Sequence, residues 1–413
     1  MTAVGAVATN LLREVLRSRG FSAVVAILVA LAWFLPRAGG ELDLLSRLRL
    51  CVEYGAGVPI FLIGIVTLVV STGSLGTEID RRVADLLVTR PIARWQILLG
   101  KLFGVLALDA ALLALVAATF SIHVVVFTSG APQEERAFAS ERFFATRRGF
   151  EPLALAVPLI APGEEVRVEF RGLSTGTRIG DTVLVRYRFD AVPRHETPLV
   201  DTSWREPQSD RVVTSRAAVG RDAFVEFPAG VVGADGSFDV VLRNDHALGS
   251  DVRIVVSAGR VEALVAAGAF ATTLGLAIGL VWVQLAFLAV VGVCGAANFN
   301  LPTAALLAGF VYLVGLVSPF LRESLEALAR HGVRGAEDRA FGVELFASAL
   351  EAFLVVLPDF TRDDPLRHVV EARTIDAGDI AWRYGGALVV RCAVVFGLGA
   401  LCFGRRELGR PTA

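Results

Sequence analysis

The 413-residue chain has one methionine and four cysteines, and Lys101 is its only lysine. Each scarcity excludes something. A phosphate-binding P-loop needs Gly-Lys followed by Ser or Thr, and the only lysine lies in Gly100-Lys101-Leu102. The chain therefore has no P-loop and cannot bind ATP by that route. Cys51, Cys294, Cys392 and Cys402 are scattered, with no CxxC pair and no Cys/His cluster. Neither a disulfide framework nor a zinc site is implied, and no metal site is expected. HExxH is absent, and the five histidines (His123, His195, His246, His331, His368) lie far apart. The chain does not read as an enzyme. Its 40 basic and 41 acidic residues leave a net charge of -1, which offers nucleic acid no basic stripe.

Charge is low as well, at 20% of residues against 54% hydrophobic. The mean hydropathy is +0.61, and the excess collects in long apolar runs that a soluble core cannot use. Six runs stand out: Phe21 to Leu35, Gly57 to Ser71, Ile97 to Phe127, Ala263 to Ala297, Ala304 to Phe320 and Tyr384 to Phe403. The third is long enough, at ~46 Å of helix, to protrude beyond a hydrocarbon layer of about 30 Å. The polar stretch before the first run, Asn10 to Arg19, reads as an interfacial helix. No small-residue cleavage site follows it, so a cleaved signal peptide is not expected.

The expected fold is an α-helical integral membrane protein with six transmembrane helices and an inserted extracytoplasmic β-rich, sandwich-like domain. Residues 1–127 hold the interfacial helix and helices 1–3, with an inner loop at 75–96. Residues 128–260 form the β-rich domain, 261–320 helices 4 and 5, 321–383 an outer segment, and 384–413 helix 6 and a tail. Arg13, Arg17 and Arg19 precede the first span; Arg81, Arg82, Arg90, Arg94 and Lys101 lie between the second and third; Arg405, Arg406 and Arg410 follow the sixth. Six spans put all three clusters on one side, which the excess of positive charge marks as cytoplasmic, together with both termini.

The outer insert alternates apolar and polar residues at Val166–Phe170, Thr182–Phe189, Ala223–Phe227, Ser237–Leu242 and Asp251–Val256, with turn residues between. Glu134 to Arg148 reads as helix continuing the third span. Trp204 and Arg186-Tyr187-Arg188 read either as a binding face or as the solvated face of the sandwich. In the second outer segment Phe341 to Leu357 contains Glu344 and Glu351, which favours a re-entrant or interfacial helix over a span. Asp109 and Arg391 lie at similar depth within spans, ~18 and ~21 Å from one surface. They are expected to pair, within one subunit or across a dimer, as a structural bridge or as a polar element of a translocation path.

The inner loop is the informative segment. Val83, Leu86 and Leu87 share a helical face, Glu78 and Asp80 sit near its start, and Pro91 forces a turn. The spacing predicts a short interfacial helix, then a second helix from about Ile92. The stretch Glu78 to Gly104 resembles the signature loop of ABC-2 type transporter permeases. Glu78, Leu86-Leu87, Pro91-Ile92, Arg94 and Gly100-Lys101 carry the likeness, with Ala93 where that family usually has serine. Leu11 to Phe34, Leu357-Pro358 and Phe403 to Leu408 are similar to the family's first and last segments. Asn298 to Pro302 departs from the small, Ser-Pro-containing turn expected there, and the outer domain lies beyond the family minimum.

The resemblance implies a permease subunit that couples ATP hydrolysis on a separate ATPase subunit to export or extraction of a substrate. ATP and magnesium would reside on that partner, with no cofactor on this chain. The coupling loop would comprise Glu78, Asp80, Arg81, Arg82, Val83, Asp85, Leu86, Leu87, Pro91, Arg94 and Lys101. Val83, Leu86 and Leu87 would anchor it, and Asp80, Arg81, Arg82, Asp85 and Arg94 would match the ATPase. Also implied are a homodimer or a pair with a related permease, contact with membrane lipid, an outer partner or cargo for the β-rich domain, and residence in a bacterial inner membrane. Two other classes stay open: a membrane-anchored extracytoplasmic binding or sensor protein uncoupled from any ATPase, against which six spans argue, and a secondary transporter, whose internal repeats the sequence does not show.

Overall fold

A computed structural model of the protein describes residues 3–37, 43–80, 93–155, 159–173, 182–192, 199–207, 211–246, 252–332, 364–375, 382 and 385–405. The chain divides into two compact units. One comprises Met1–Ala139, Leu274–Glu371 and Ile375–Ala413; the other comprises Ser140–Thr273 with Ala372–Thr374.

The first unit is helical among its described residues. It contains α1 (Ala3–Arg17), α2 (Arg19–Phe34), α3 (Leu44–Glu53), α4 (Gly57–Asp80), α5 (Arg94–Gly130), α6 (Gln133–Ala139), α7 (Phe270–Asn298, from Leu274 on), α8 (Leu301–Gly332), α9 (Pro365–Val370) and α10 (Gly386–Arg405). Among the described residues six stretches are long and apolar enough to cross a membrane: Arg19–Arg37, Leu44–Glu78, Arg94–Gly130, Phe270–Asn298, Leu301–Ser318 and Gly386–Arg405. The protein is a helical membrane protein with an inserted β-rich region.

Local chemistry sets the helix ends. Ser18 breaks α1 from α2 and its Oγ accepts the Phe21 N–H at 3.1 Å, so α2 starts with a side-chain cap. Asp43 caps α3 by accepting the Ser46 N–H at 3.3 Å. That helix was not foreseen. It buries Leu44, Leu48, Cys51 and Val52 and leaves Arg49 exposed. Within the spans, hydroxyl groups bond backward to their own helix, as Thr72 does to Leu68 O at 2.8 Å and Thr119 to Leu115 O at 2.9 Å. Hydrocarbon offers them no other partner. Contacts between spans are also polar: Tyr312 donates to Phe61 O at 3.0 Å, and Asn298 Nδ2 to Gly399 O at 3.1 Å. Asn298, where the sequence departs from the family turn, thus ties α7 to α10.

The second unit is a sandwich of two antiparallel sheets. Its strands are β1 (Ala145–Phe150), β2 (Pro152–Leu155), β3 (Leu159–Ile160), β4 (Glu165–Phe170), β5 (Thr182–Val192), β6 (Leu199–Glu206), β7 (Arg211–Ala218), β8 (Ala223–Pro228), β9 (Phe238–Asn244) and β10 (Arg253–Ala269). One sheet runs β1-β10-β5-β8, with β3 also on β10; the other runs β2-β4-β9-β6-β7. Alternation does the sorting: Val166, Val168 and Phe170 point into the core, and Val168 pairs across with Val240. The core centres on Trp204, Tyr187, Phe170, Phe189, Phe227 and Phe238. Asn244 is buried and donates to Ile160 O and Val252 O at 3.2 and 3.1 Å, so one side chain links the two sheets.

Four expectations are corrected. Trp204 and Tyr187 form no outer face, because both are buried, with ring centroids 4.8 Å apart. The apolar run from Ala263 is strand until Ala269 and becomes helix only at Phe270. A buried strand of a sandwich and the start of a span are both continuously apolar, so hydropathy cannot separate them. Helix does not extend to Arg148: α6 ends at Ala139, a π-turn covers Ser140–Phe144, and Arg147 and Arg148 belong to β1. Glu78 and Asp80 do not begin a separate short helix, because α4 continues through them. Residues 341–357 lie outside the described residues.

Candidate functional site

The two helices that flank residues 81–92 are joined at their roots. Lys101, seven residues into α5, reaches Glu78 near the end of α4, with Nζ to Oε1 at 2.6 Å. The Lys101 side chain is 3% exposed and that of Glu78 19%, so this is an ion pair in a largely dry setting. Such a pair is costly to break, because the survivor keeps its charge without compensation. The other Glu78 oxygen, Oε2, is buried without a hydrogen-bond partner. The long flexible stem of lysine lets a point charge cross between the helices.

Arg94 opens α5 and serves another helix. Its Nη1 donates to Phe403 O at 3.0 Å, and its guanidinium lies 5.9 Å from the Phe403 ring centroid. A cation is thereby placed on the last-turn carbonyls of α10, where the helix dipole favours it. The N-terminus of α5 is capped in turn by Gln96, whose Oε1 accepts the Ala93 N–H at 3.3 Å.

Below Lys101, α1 lies directly against α5. A Cβ on Gly100 would come within 2.7 Å of Val7 Cβ and 2.9 Å of Val4 O; one on Gly104 would come within 2.7 Å of Leu11 Cδ2. The two glycines four residues apart present a bare strip on which the other backbone can rest. The packed interior here includes Leu75, Ile97, Leu98, Val293, Ala304 and Phe403. The roots of the 81–92 segment are thus fixed to α1, α4, α5 and α10 together.

Of the expected loop residues, Glu78 and Lys101 are brought together and Arg94 is turned toward α10. Asp80 ends α4. Arg81, Arg82, Val83, Asp85, Leu86, Leu87 and Pro91 lie outside the described residues. Asp109 is buried in α5, and its Oδ1 lies 2.7 Å from Thr67 Oγ1 on α4. Thr67 Oγ1 is also 2.8 Å from Ile63 O. The expected pairing of Asp109 with Arg391 is not made within the chain: Asp109 Oδ1 bonds Thr67, and Oδ2 has no hydrogen-bond partner. Equal depth fixes height in the membrane but not the helix face. Phe403, Gly104 and Thr67 were missed as partners, although the Gly100/Gly104 spacing inside an apolar run was available as a signal.

Compared with protein families, one segment finds a match. Residues 6–146 match the model described as ABC-2 family transporter protein. The match takes in α1, the first three spans and the 81–92 segment, and it ends as β1 begins. No curated protein matches the chain. The matched segment contains the Glu78–Lys101 pair, the Gly100/Gly104 strip and Arg94. An ABC-2 permease is a membrane subunit of a transporter, generally without a catalytic site of its own, and its family implies an ABC ATPase as partner.

Proposed function

We propose that this chain is the permease subunit of an ABC-2 transporter. It couples ATP hydrolysis, with ATP and magnesium held on a separate ATPase subunit, to export or extraction of a substrate. Residues 81–92 are the element that the ATPase grips, with Arg81, Arg82 and Asp85 setting charge complementarity and Val83, Leu86 and Leu87 anchoring the element. It works as a homodimer or beside a related permease, in a bacterial inner membrane, with the 75–96 loop and the basic clusters cytoplasmic.

One observation carries this reading: both roots of the 81–92 segment are clamped, by the Glu78–Lys101 pair and by Arg94 on the end of α10. A push on the segment would therefore move α4, α5 and α10 as a group and could not be absorbed at the hinges. The test is co-purification with an ABC ATPase co-expressed with this chain. Arg81→Glu with Arg82→Glu should lower its association at least about tenfold, or ~1.4 kcal/mol. Unchanged association would sink the proposed contact. A chain that purifies with no ATPase, and binds an outer ligand without one, would favour the anchored binding protein.

A further inference from the structure

Two cavities adjoin at the end of the helical unit opposite the Glu78–Lys101 pair. Gly57 begins α4, and its 24 residues put that end ~36 Å along the helix from Asp80. The deeper cavity has a volume of about 160 Å³; its walls are hydrocarbon and aromatic, including Ile60, Phe61, Leu285, Leu288, Tyr312 and Leu316, with Gln284 as an added amide. The Tyr312 hydroxyl is turned to Phe61 O at 3.0 Å, so its ring is what it offers the space. The outer cavity has a volume of about 370 Å³ and is polar, lined by Glu53, Asp364, Arg367 and Glu371. Gly57, Asp364 and Leu366 line both. Asp364 therefore stands at the neck between a polar chamber and an apolar one.

Among the described residues the charges at the neck are unequal. Three carboxylates face one guanidinium, and Arg367 already donates to Glu371 Oε1 at 2.9 Å. Glu53 and Asp364 remain. Asp364 Oδ1 accepts the Leu366 N–H at 2.9 Å, which fixes the carboxylate at the N-terminus of α9. Burial pushes its carboxyl up from the ordinary value despite those backbone bonds. A group in that state gains from a cation that restores the interaction lost with water. The chamber beneath gains from any chain that fills it.

We propose that this pair of cavities binds a cationic amphiphile, with its ammonium head between Glu53 and Asp364 and its hydrocarbon chain in the chamber below. The inference rests on the transporter reading and names the class of its substrate. An anionic head would meet the same two carboxylates with the wrong sign. A head without a chain would leave the apolar chamber empty.

The test uses the full chain in phosphatidylcholine nanodiscs, with binding measured by competition against a nitroxide-labelled alkyl-dimethylammonium and empty discs as background. Dodecyltrimethylammonium should compete saturably, about tenfold better than dodecyl sulfate, or ~1.4 kcal/mol; tetramethylammonium should not compete. Asp364→Asn and Glu53→Gln should each weaken binding about five- to tenfold, and asparagine still caps a helix, so α9 is kept. Equal competition by the cationic and anionic chains, or uptake no greater than in empty discs, overturns the site. These comparisons are made on the wild-type chain and do not depend on any variant folding. Unchanged affinity in Asp364→Asn overturns the role of the neck. The transporter reading fails separately: saturable binding without coupling to any ATPase leaves the site standing and removes the transport.

Discussion

Replacing Lys101 by methionine keeps the stem of the side chain and removes its charge. Glu78 would then be left 19% exposed beside an apolar neighbour, with Oε2 already lacking a partner. Removing one member of a buried pair costs ~3–5 kcal/mol. The partial exposure of Glu78 lets water compensate some of that loss, so the lower end, about 3 kcal/mol, is expected here. Glu78→Gln should cost a similar amount, because it leaves the ammonium 3% exposed and uncompensated. The double variant removes both charges and should fall within about 1 kcal/mol of the wild type. The signature is therefore the coupling between the two changes, at least ~2 kcal/mol. Reversible unfolding in mixed micelles, followed by loss of helical circular dichroism, measures each corner of the cycle. Additive single effects, or a Lys101→Met cost below about 0.5 kcal/mol, would refute a buried clamp.

Further outcomes follow from other contacts. Gly100→Ala puts a methyl group against Val7 and the Val4 carbonyl; it should destabilise the α1–α5 contact by ~1–3 kcal/mol and increase protease cutting within α1. Thr67→Val removes the hydroxyl beside Asp109 and should cost ~0.6–1.7 kcal/mol in the same unfolding assay, the range for hydrogen bonds between membrane helices. Trp204→Ala should cost ~3–5 kcal/mol and open Ser140–Thr273 to limited proteolysis, whereas a surface tryptophan would leave the cutting pattern unchanged. Burial raises the Asp364 carboxyl above its ordinary value, so folding favours its protonated form. That contribution is full in acid and lost as pH rises from about 4 toward neutral, and Asp364→Asn should flatten this part of the stability curve.

Hydropathy carried much of the fold. Six spans are legible because each needs about 20 apolar residues, a signal that nothing short of another buried element imitates. Where such an element exists the reading failed: β10 is apolar on its own account and merged with the fourth span. In the insert, the strands with clean alternation, such as β4 and β9, were visible. Strands β6 and β7 were not: the polar stretch Thr202, Ser203 and Glu206 is buried, while Val212 is exposed.

The candidate site divides in the same way. Residue types at fixed spacing named the loop from Glu78 to Lys101, and the lone lysine marked its end. By itself, then, the sequence determined the six spans seen among the described residues, the absence of a P-loop and the segment that carries the family likeness, because each depends on composition or on neighbours along the chain. Tertiary structure alone decided that Lys101 meets Glu78, that Arg94 caps α10, that Asp109 meets Thr67 within the chain, and that Trp204 is core. Those outcomes depend on helix rotation and on sheet pairing between residues far apart in sequence, and apolar periodicity leaves both undetermined when a helix is apolar all round.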